Sequence, residues 1–307
     1  RIKTTFPNIH HLEMAGNGQD NFRLLILAYS KKLTHLKLHF MGTFYNGEFS
    51  FLLGNKFPKL THLTFVCPYG NLFPKQPNKF NFAAFNRLHE LCVNSVDNFE
   101  VVASALNHHI TKQNETLKKI AISIESVSNE SIQQLKEDVC QRIIYLERLF
   151  YRGNIIALSQ RFPSLTKIQL SHGYVERLLP YLAYFSRLTH VELLTCCYYL
   201  NESEVLKMKK SESIRQFEFN FEPIKRPFGL FDFKRYANLA DFFRDIGLPL
   251  LQVCGTLQVM PHLQAIRIMG DMYHLEWNSS YFYEEILHYF RPLKQQWPEL
   301  NRIEFKV

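Results

Sequence analysis

Several patterns that mark enzymes and membrane proteins are missing from this sequence. Its 307 residues contain no uninterrupted run of 18 apolar residues, no G-x-S-x-G, H-E-x-x-H or G-x-G-x-x-G motif and no Walker A loop. Lys and Arg outnumber Asp and Glu, 36 to 28, yet they form no basic run of the kind found in nucleic-acid-binding arms. We therefore predict a protein without catalytic activity, cofactor, bound metal or membrane span, and we disfavour nucleic acid as a partner.

One nine-residue sequence motif, here called the phrase, recurs along the chain. It reads F-P-K-L-T-H-L-T-F at residues 57–65 and returns at 6–14, at 162–170 and, with Trp for Phe, at 297–305. Shorter copies of its L-x-x-L-x-L part occupy 33–38, 88–93, 117–122, 146–151, 188–193, 214–219 and 263–268. The central apolar residue of the copies therefore falls at positions 12, 36, 63, 91, 120, 149, 168, 191, 217, 266 and 303.

The spacing of these copies predicts a fold. Most successive central positions lie 23 to 29 residues apart, which is the length of a leucine-rich repeat. The last two apolar residues of each copy alternate with polar ones, as in a short strand with one buried face. Between copies the apolar spacing is helical, most clearly at 97–113 and 128–144. Each unit thus reads as a strand followed by a helix.

The eleven copies resemble the leucine-rich-repeat family over nearly the whole chain, and their long, irregular units are most similar to the intracellular repeat domains of F-box substrate receptors. The Asn or Cys that usually follows the strand is kept at Asn94 and Asn220, but other residues replace it at Ala15, His39, Val66 and Ser171. The resemblance implies an α/β solenoid curved like a horseshoe, with parallel strands on the concave face and helices on the convex face.

The same resemblance implies a function in protein recognition. The chain would be the substrate-binding part of an F-box-type ubiquitin ligase receptor, which engages Skp1 and the cullin machinery through an F-box. A free-standing scaffold or binding protein built from the same repeats, without a ligase role, is the alternative.

We predict a single array of about 11 repeats over residues 1–307, with an insertion or a degenerate repeat at 220–262. Because the chain begins inside a repeat and without Met, a preceding N-terminal segment is expected. Extracellular members of the family usually carry cysteine clusters at their ends, which are missing here, so an intracellular location, cytoplasmic or nuclear, is expected. Four N-x-S/T sequons, which are acceptor sequences for N-glycosylation, instead favour an extracellular location.

Three histidines, His11, His35 and His62, stand directly before the central apolar residue of the first three copies. On adjacent parallel strands these side chains would lie about 4.8 Å apart. Two interpretations follow, a solvated polar row or a three-histidine metal site. We favour the row, because no carboxylate or cysteine completes a ligand set at the same level.

The residues that flank the central apolar position are predicted to form exposed rows on the concave face. We place the binding site where basic residues and one aromatic residue meet, at Lys119, Arg148, Phe150, Arg152 and Lys167. An acidic or phosphorylated protein segment would suit these cations. The secondary candidate is the aromatic stretch 223–243, through Phe228, Phe231, Phe233 and Tyr236.

Overall fold

The computed structural model describes residues 8–16, 19–40, 57–67, 85–95, 99–109, 116–123, 129–149, 154–170, 178–194, 206–221, 248–270 and 291–306. The chain divides into two compact units, here called unit 1 and unit 2. Unit 1 comprises Arg1–Glu147 with Tyr151–Gly153, and unit 2 comprises Arg148–Phe150 with Asn154–Val307.

Unit 1 contains six strands and four helices among its described residues. The strands are β1 (His11–Gly16), β2 (His35–Phe40), β3 (His62–Cys67), β4 (Glu90–Ser95), β5 (Lys119–Ser123) and β6 (Ile143–Leu149), the last of which ends in residues assigned to unit 2. The helices are α1 (Gln19–Tyr29), α2 (Phe99–His109), α3 (Asn129–Gln133) and α4 (Glu137–Cys140).

Unit 2 repeats the same alternation. Its strands are β7 (Lys167–Leu170), β8 (His190–Leu194), β9 (Gln216–Phe221), β10 (Ala265–Gly270) and β11 (Arg302–Lys306). Its helical segments are α5 (Ile155–Arg161), a 3-10 helix (Leu179–Tyr184) and α6 (Leu248–Thr256), and residues 291–296 are also helical. Pro180 lies in the first turn of the 3-10 helix, where a helix needs no backbone N–H donor.

In unit 1, β1 to β6 run parallel and pair in the order of the chain, and in unit 2, β7 to β11 do the same. This arrangement confirms the predicted α/β architecture of strands and helices at the level of a repeat array. Within unit 1 the register aligns the predicted central residues Leu12, Leu36, Leu63, Leu91 and Ile120. Within unit 2 it aligns Ile168, Val191, Phe217, Ile266 and Ile303 in the same way.

The same junction joins neighbouring repeats. The carbonyl oxygen of Thr34 accepts hydrogen bonds from the backbone N–H groups of Thr61 and His62, at 2.8 and 3.1 Å. The Thr61 hydroxyl donates to the same carbonyl at 3.0 Å, which explains why threonine recurs two residues before the central position. Equivalent carbonyls receive two backbone N–H groups of the following repeat at His10, Thr61 and His89 in unit 1 and at Thr166, Thr189, Arg215 and Gln264 in unit 2.

Aromatic residues at the start of each phrase form part of the core. Phe57 and Phe85 are fully buried, with ring centroids 5.3 Å apart, and their carbonyls accept the N–H groups of Leu60 and Leu88. In unit 2 Phe162, Phe185 and Trp297 are buried in the corresponding position. The first residue of the phrase therefore anchors the turn, and the residues of the L-x-x-L-x-L part fill the remaining core.

The predicted register of β6 is wrong. Ile143, and not Leu149, lies opposite Ile120, and a bulge then brings Leu146 opposite Ile122. Because Ile143, Leu146 and Leu149 are spaced by three residues and all are buried, the sequence admits two registers. The predicted central positions 149 and 168 are only 19 residues apart. In the observed register the central positions 120, 143 and 168 lie 23 and 25 residues apart, within the usual spacing of the repeats.

The predicted single helix at 128–144 is also wrong, because the segment forms two short helices, α3 and α4, before β6 begins. Asn107 of α2 holds the break between them. Its Oδ1 accepts the N–H of Lys136 at 2.7 Å, and its Nδ2 donates to the carbonyl of Gln134 at 2.5 Å. A side chain from the preceding repeat thus satisfies backbone groups that a continuous helix would have paired internally.

The long connection before β10 adds no strand between its neighbours. β9 pairs directly with β10, with Phe217 opposite Ile266, although 49 residues separate the two positions. Of the segment 220–262, the described part after 247 contains α6 and the turn that leads into β10. The aromatic residues of the secondary candidate site, Phe228, Phe231, Phe233 and Tyr236, lie outside the described residues.

Candidate functional site

The polar face of unit 1 consists of the side chains that flank the central apolar residue of β1 to β5. The register sets one row before that residue, His11–His35–His62–Glu90–Lys119, and a second row after it, Glu13–Lys37–Thr64–Cys92–Ala121. The predicted histidine row is confirmed. The ring centroids of His11 and His35 lie 4.0 Å apart, and those of His35 and His62 lie 4.1 Å apart and are stacked.

Threonines fix the orientation of two of these imidazoles. The Thr34 hydroxyl donates to the His10 carbonyl and also lies 3.0 Å from Nδ1 of His35. Thr61 makes the same pair of contacts, with the Thr34 carbonyl and, at 2.8 Å, with Nδ1 of His62. Each hydroxyl therefore lies within hydrogen-bonding distance of both a backbone carbonyl and Nδ1 of the following histidine, which holds the imidazole in place.

The stacking of the rings argues against a shared metal ion. The lone pair of an imidazole nitrogen lies in the ring plane, and the planes of His35 and His62 differ by only 9° at a centroid distance of 4.1 Å. Two nearly parallel planes at this separation do not direct both lone pairs at one ion about 2.1 Å from each nitrogen. The geometry therefore favours the polar row over the three-histidine metal site.

Acid is expected to destabilise unit 1 through His35. The pKa of His35 lies below its ordinary value of 6.5, because partial burial disfavours the imidazolium and because His62 and His11 repel it when they are charged, while Glu90 opposes the shift. The unfolded chain then binds this proton more readily than the folded one. Stability should fall as the pH drops through about 6.5, and the loss should be complete below the folded pKa.

The measurement is the thermal unfolding midpoint of the wild type and of His35→Gln between about pH 7.5 and pH 5. The wild type should lose more of its midpoint on acidification than the variant does. His89→Gln is the matched control, since His89 is exposed and precedes β4 outside the stacked row. Equal losses in the wild type and His35→Gln would show that His35 does not carry the effect.

Ion pairs neutralise the two lysines of the polar face of unit 1. Lys37 lies 2.9 Å from Glu13, whose carboxyl pKa is lowered mainly by that lysine, and Lys119 lies 2.5 Å from Glu90. Lys119 nevertheless remains 55% exposed. Burial raises the pKa of the Cys92 thiol in the second row to about 12, so this residue is not a nucleophile at neutral pH.

The polar face of unit 2 differs from the prediction, because its central members are buried. Glu192 is 3% exposed and Glu218 is 6% exposed, and Gln169 is buried as well, although the alternating pattern predicted exposed rows here. Three donors from neighbouring side chains compensate for the burial of the Glu192 carboxylate. Its Oε1 accepts from Gln169 at 2.6 Å and from Asn220 at 2.8 Å, and its Oε2 lies 2.8 Å from the Lys167 ammonium.

A second set of contacts surrounds Glu218. Its Oε2 lies 3.0 Å from Nε2 of His190 and 4.0 Å from Nη1 of Arg267. Burial alone would raise the pKa of Glu218, but His190, Lys167 and Arg267 together hold it below its ordinary value. This carboxylate is therefore ionised at neutral pH, and it links β8, β9 and β10.

The described part of unit 2 contains one group with the geometry to surround a cation. The ligand atoms of His190, Glu192 and Glu218 all lie within 4.8 Å of one another. Lys167 and Arg267 already supply positive charge to these carboxylates, and Gln169 and Asn220 occupy further lone pairs. We therefore assign the group to holding neighbouring strands together.

The structure describes two of the five predicted binding side chains. Lys119 lies on the polar face of unit 1 as predicted, while Lys167 is half-buried and pairs with Glu192 instead of standing free. The side chain of Arg148, and Phe150 and Arg152, lie outside the described residues. The observed register of β6 removes the reason for placing Arg148 beside Lys119, because Arg142 is the residue before Ile143.

A comparison of the chain with protein-family models found no matching model, and a comparison with curated proteins found no match. Among the described residues, the helices are too short or too polar for any of them to cross a membrane.

Proposed function

We propose that this protein is a protein-recognition module, and more narrowly the substrate-binding part of an F-box-type ubiquitin ligase receptor. The proposal of a recognition function rests on one observation, the in-register rows on the polar face of unit 1. They present imidazole, ammonium and carboxylate groups from five consecutive strands on a fixed backbone. Repeat arrays use such extended surfaces for binding, because neighbouring repeats contribute equivalent positions.

The bound element that we propose for this face is an acidic or phosphorylated segment that takes the place of Glu90 beside Lys119. Lys119 is exposed, and its carboxylate partner Glu90 is also solvent-accessible. An exposed pair of this kind contributes only about 0–1 kcal/mol, so an incoming carboxylate or phosphate can replace Glu90 at little cost. His62, whose Nε2 lies 3.6 Å from the Glu90 carboxylate, supplies a second donor once it is protonated.

Charge reversal at Lys119 tests the recognition surface. The full-length protein and its Lys119→Glu variant would be compared by affinity capture with quantitative mass spectrometry. The proteins that bind this face should be depleted about tenfold or more with the variant, since a carboxylate there repels an acidic segment. Arg148→Glu would be examined separately as another member of the predicted set.

Lys59→Glu is the matched control for this capture experiment, because Lys59 is exposed in the turn before β3. It changes the net charge equally and leaves the polar face intact. Capture of the same proteins in the same amounts by Lys119→Glu and Lys59→Glu would refute a role for this surface.

Binding of the full-length protein to purified Skp1 tests the ligase part of the proposal. A stable complex would support an F-box receptor. Recognition without Skp1 binding would select the alternative, a free-standing scaffold or binding protein, because that function depends on the same polar face and needs no adaptor.

A further inference from the structure

A second surface stands out in unit 2, where the 3-10 helix Leu179–Tyr184 presents two tyrosines. Leu179, Pro180 and Leu182 are buried beneath it, whereas Tyr181 is 40% exposed and Tyr184 is half-buried. The two tyrosine rings are stacked, with centroids 6.1 Å apart. The fully packed underside fixes the helix, so the exposed phenol rings have a defined position.

The segment 206–213 is fixed beside this helix by contacts on both of its sides. The sulfur of Met208 is buried against Sγ of Cys254 at 3.8 Å, and the N–H of Ser211 donates to the carbonyl of Val259 at 2.7 Å. The Ser213 hydroxyl donates to the carbonyl of Phe185, directly after the helix. With Met208 inward, Lys207 and Lys209 on either side of it are exposed.

Lys209 connects the two elements. Its ammonium donates to the Tyr184 hydroxyl at 2.7 Å and lies 4.9 Å from the centroid of the same ring. This partner is a neutral phenol, so the positive charge of Lys209 is not cancelled by it, whereas Lys210 pairs with Glu212 at 2.8 Å. The tyrosine stack thus holds an ammonium group in place before any partner arrives.

The two elements that Lys209 connects also carry exposed apolar side chains. Leu206, which begins the segment, is 62% exposed, and it and Tyr181 are two of the four large apolar side chains that are exposed among the described residues. We call Tyr181, Tyr184, Leu206, Lys207 and Lys209 the tyrosine–lysine patch. Tyrosine is enriched at protein interfaces and among the residues that contribute most of their binding energy.

We propose that the tyrosine–lysine patch binds an acidic peptide segment that also carries apolar side chains. Carboxylates of the segment pair with Lys209, and its apolar side chains cover Tyr181 and Leu206. A single-stranded nucleic acid fits less well, because base stacking needs an open ring face, and the ring of Tyr184 is already engaged by Lys209 and Tyr181. This site goes beyond the proposed function, since it assigns a partner to residues outside the polar face of unit 1.

The test uses the full chain and a short fluorescein-labelled peptide built from Glu and Leu, with binding followed by fluorescence anisotropy at about 100 mM salt. Lys209→Glu should weaken binding about tenfold or more, and Tyr181→Ser should weaken it several-fold. Lys294→Glu is the matched control and should bind like the wild type, because Lys294 is exposed in the helical residues 291–296. Lys209→Met, which keeps the length of the side chain without its charge, should weaken binding even if Lys209→Glu disturbs the fold.

Further measurements distinguish this proposal from competing explanations. Equal weakening by Lys209→Glu and Lys294→Glu would overturn the proposal, because it would mean attraction by net charge alone. Binding of a labelled single-stranded oligonucleotide that depends on Lys209, without binding of the Glu/Leu peptide, would overturn it in favour of nucleic acid. Since Lys119→Glu leaves this patch unchanged, loss of peptide binding in Lys119→Glu but not in Lys209→Glu would assign the peptide to unit 1 instead.

Discussion

Leu63→Asp is expected to destabilise unit 1 by about 4 kcal/mol or more. Leu63 is 1% exposed, and the register places it between Leu36 and Leu91 in the continuous core of the repeats. The substitution removes a buried isobutyl group and leaves a carboxylate without a partner among apolar side chains. A loss of this size is a large part of the 5–15 kcal/mol that stabilises a typical domain.

Urea denaturation followed by circular dichroism measures the effect. Thr64→Asp is the matched control, since Thr64 is the next residue of β3 and lies on the polar face. It should change the free energy of unfolding by less than about 1 kcal/mol. If both variants unfold at the same urea concentration as the wild type, the assignment of the two faces of β3 is wrong.

The second large effect is expected in unit 2, where Glu192→Leu should cost about 3 kcal/mol. The change removes the carboxylate that pairs with the Lys167 ammonium and that accepts hydrogen bonds from the side-chain amides of Gln169 and Asn220. Each buried donor that loses its partner costs more than the hydrogen bond contributed net, because its desolvation is no longer compensated.

Two controls separate charge from packing at this position. Glu192→Gln keeps an oxygen that can accept from the neighbouring amides, so its cost should be smaller than that of Glu192→Leu. Glu304→Gln removes a partly exposed carboxylate that pairs with Arg302 and Arg267, and it should cost less than about 1 kcal/mol. Similar losses for Glu192→Leu and Glu304→Gln would mean that burial of Glu192 does not contribute to stability.

The histidine row shows what the sequence could predict. The phrase L-T-H-L repeats with its threonine and histidine at fixed distances from the central leucine, and parallel pairing keeps equivalent positions opposite each other. Knowing the repeat was therefore sufficient to place His35 beside His62. The threonine contacts with these imidazoles follow from the same phrase and could also have been predicted from the sequence.

The burial of Glu192 and the break at residue 136 could not be predicted in this way. Glu192 occupies the same place in its repeat as Lys37, whose side chain is 44% exposed, so alternation alone assigns both to solvent. The break depends on Asn107, which is 29 residues away in the chain and acts on Lys136 through tertiary contact. A pattern within one repeat does not contain information about side chains that another repeat supplies.

The junction carbonyls make the length of a connection independent of the register of the sheet. Arg215 receives the N–H groups of Gln264 and Ala265 in the same way that Thr34 receives those of Thr61 and His62, although the first connection is 49 residues long and the second is 27. Each repeat is therefore aligned locally, at the point where its strand begins. Segments between strands can lengthen, shorten or be exchanged during evolution, or be replaced by a grafted loop, while the strands keep their pairing.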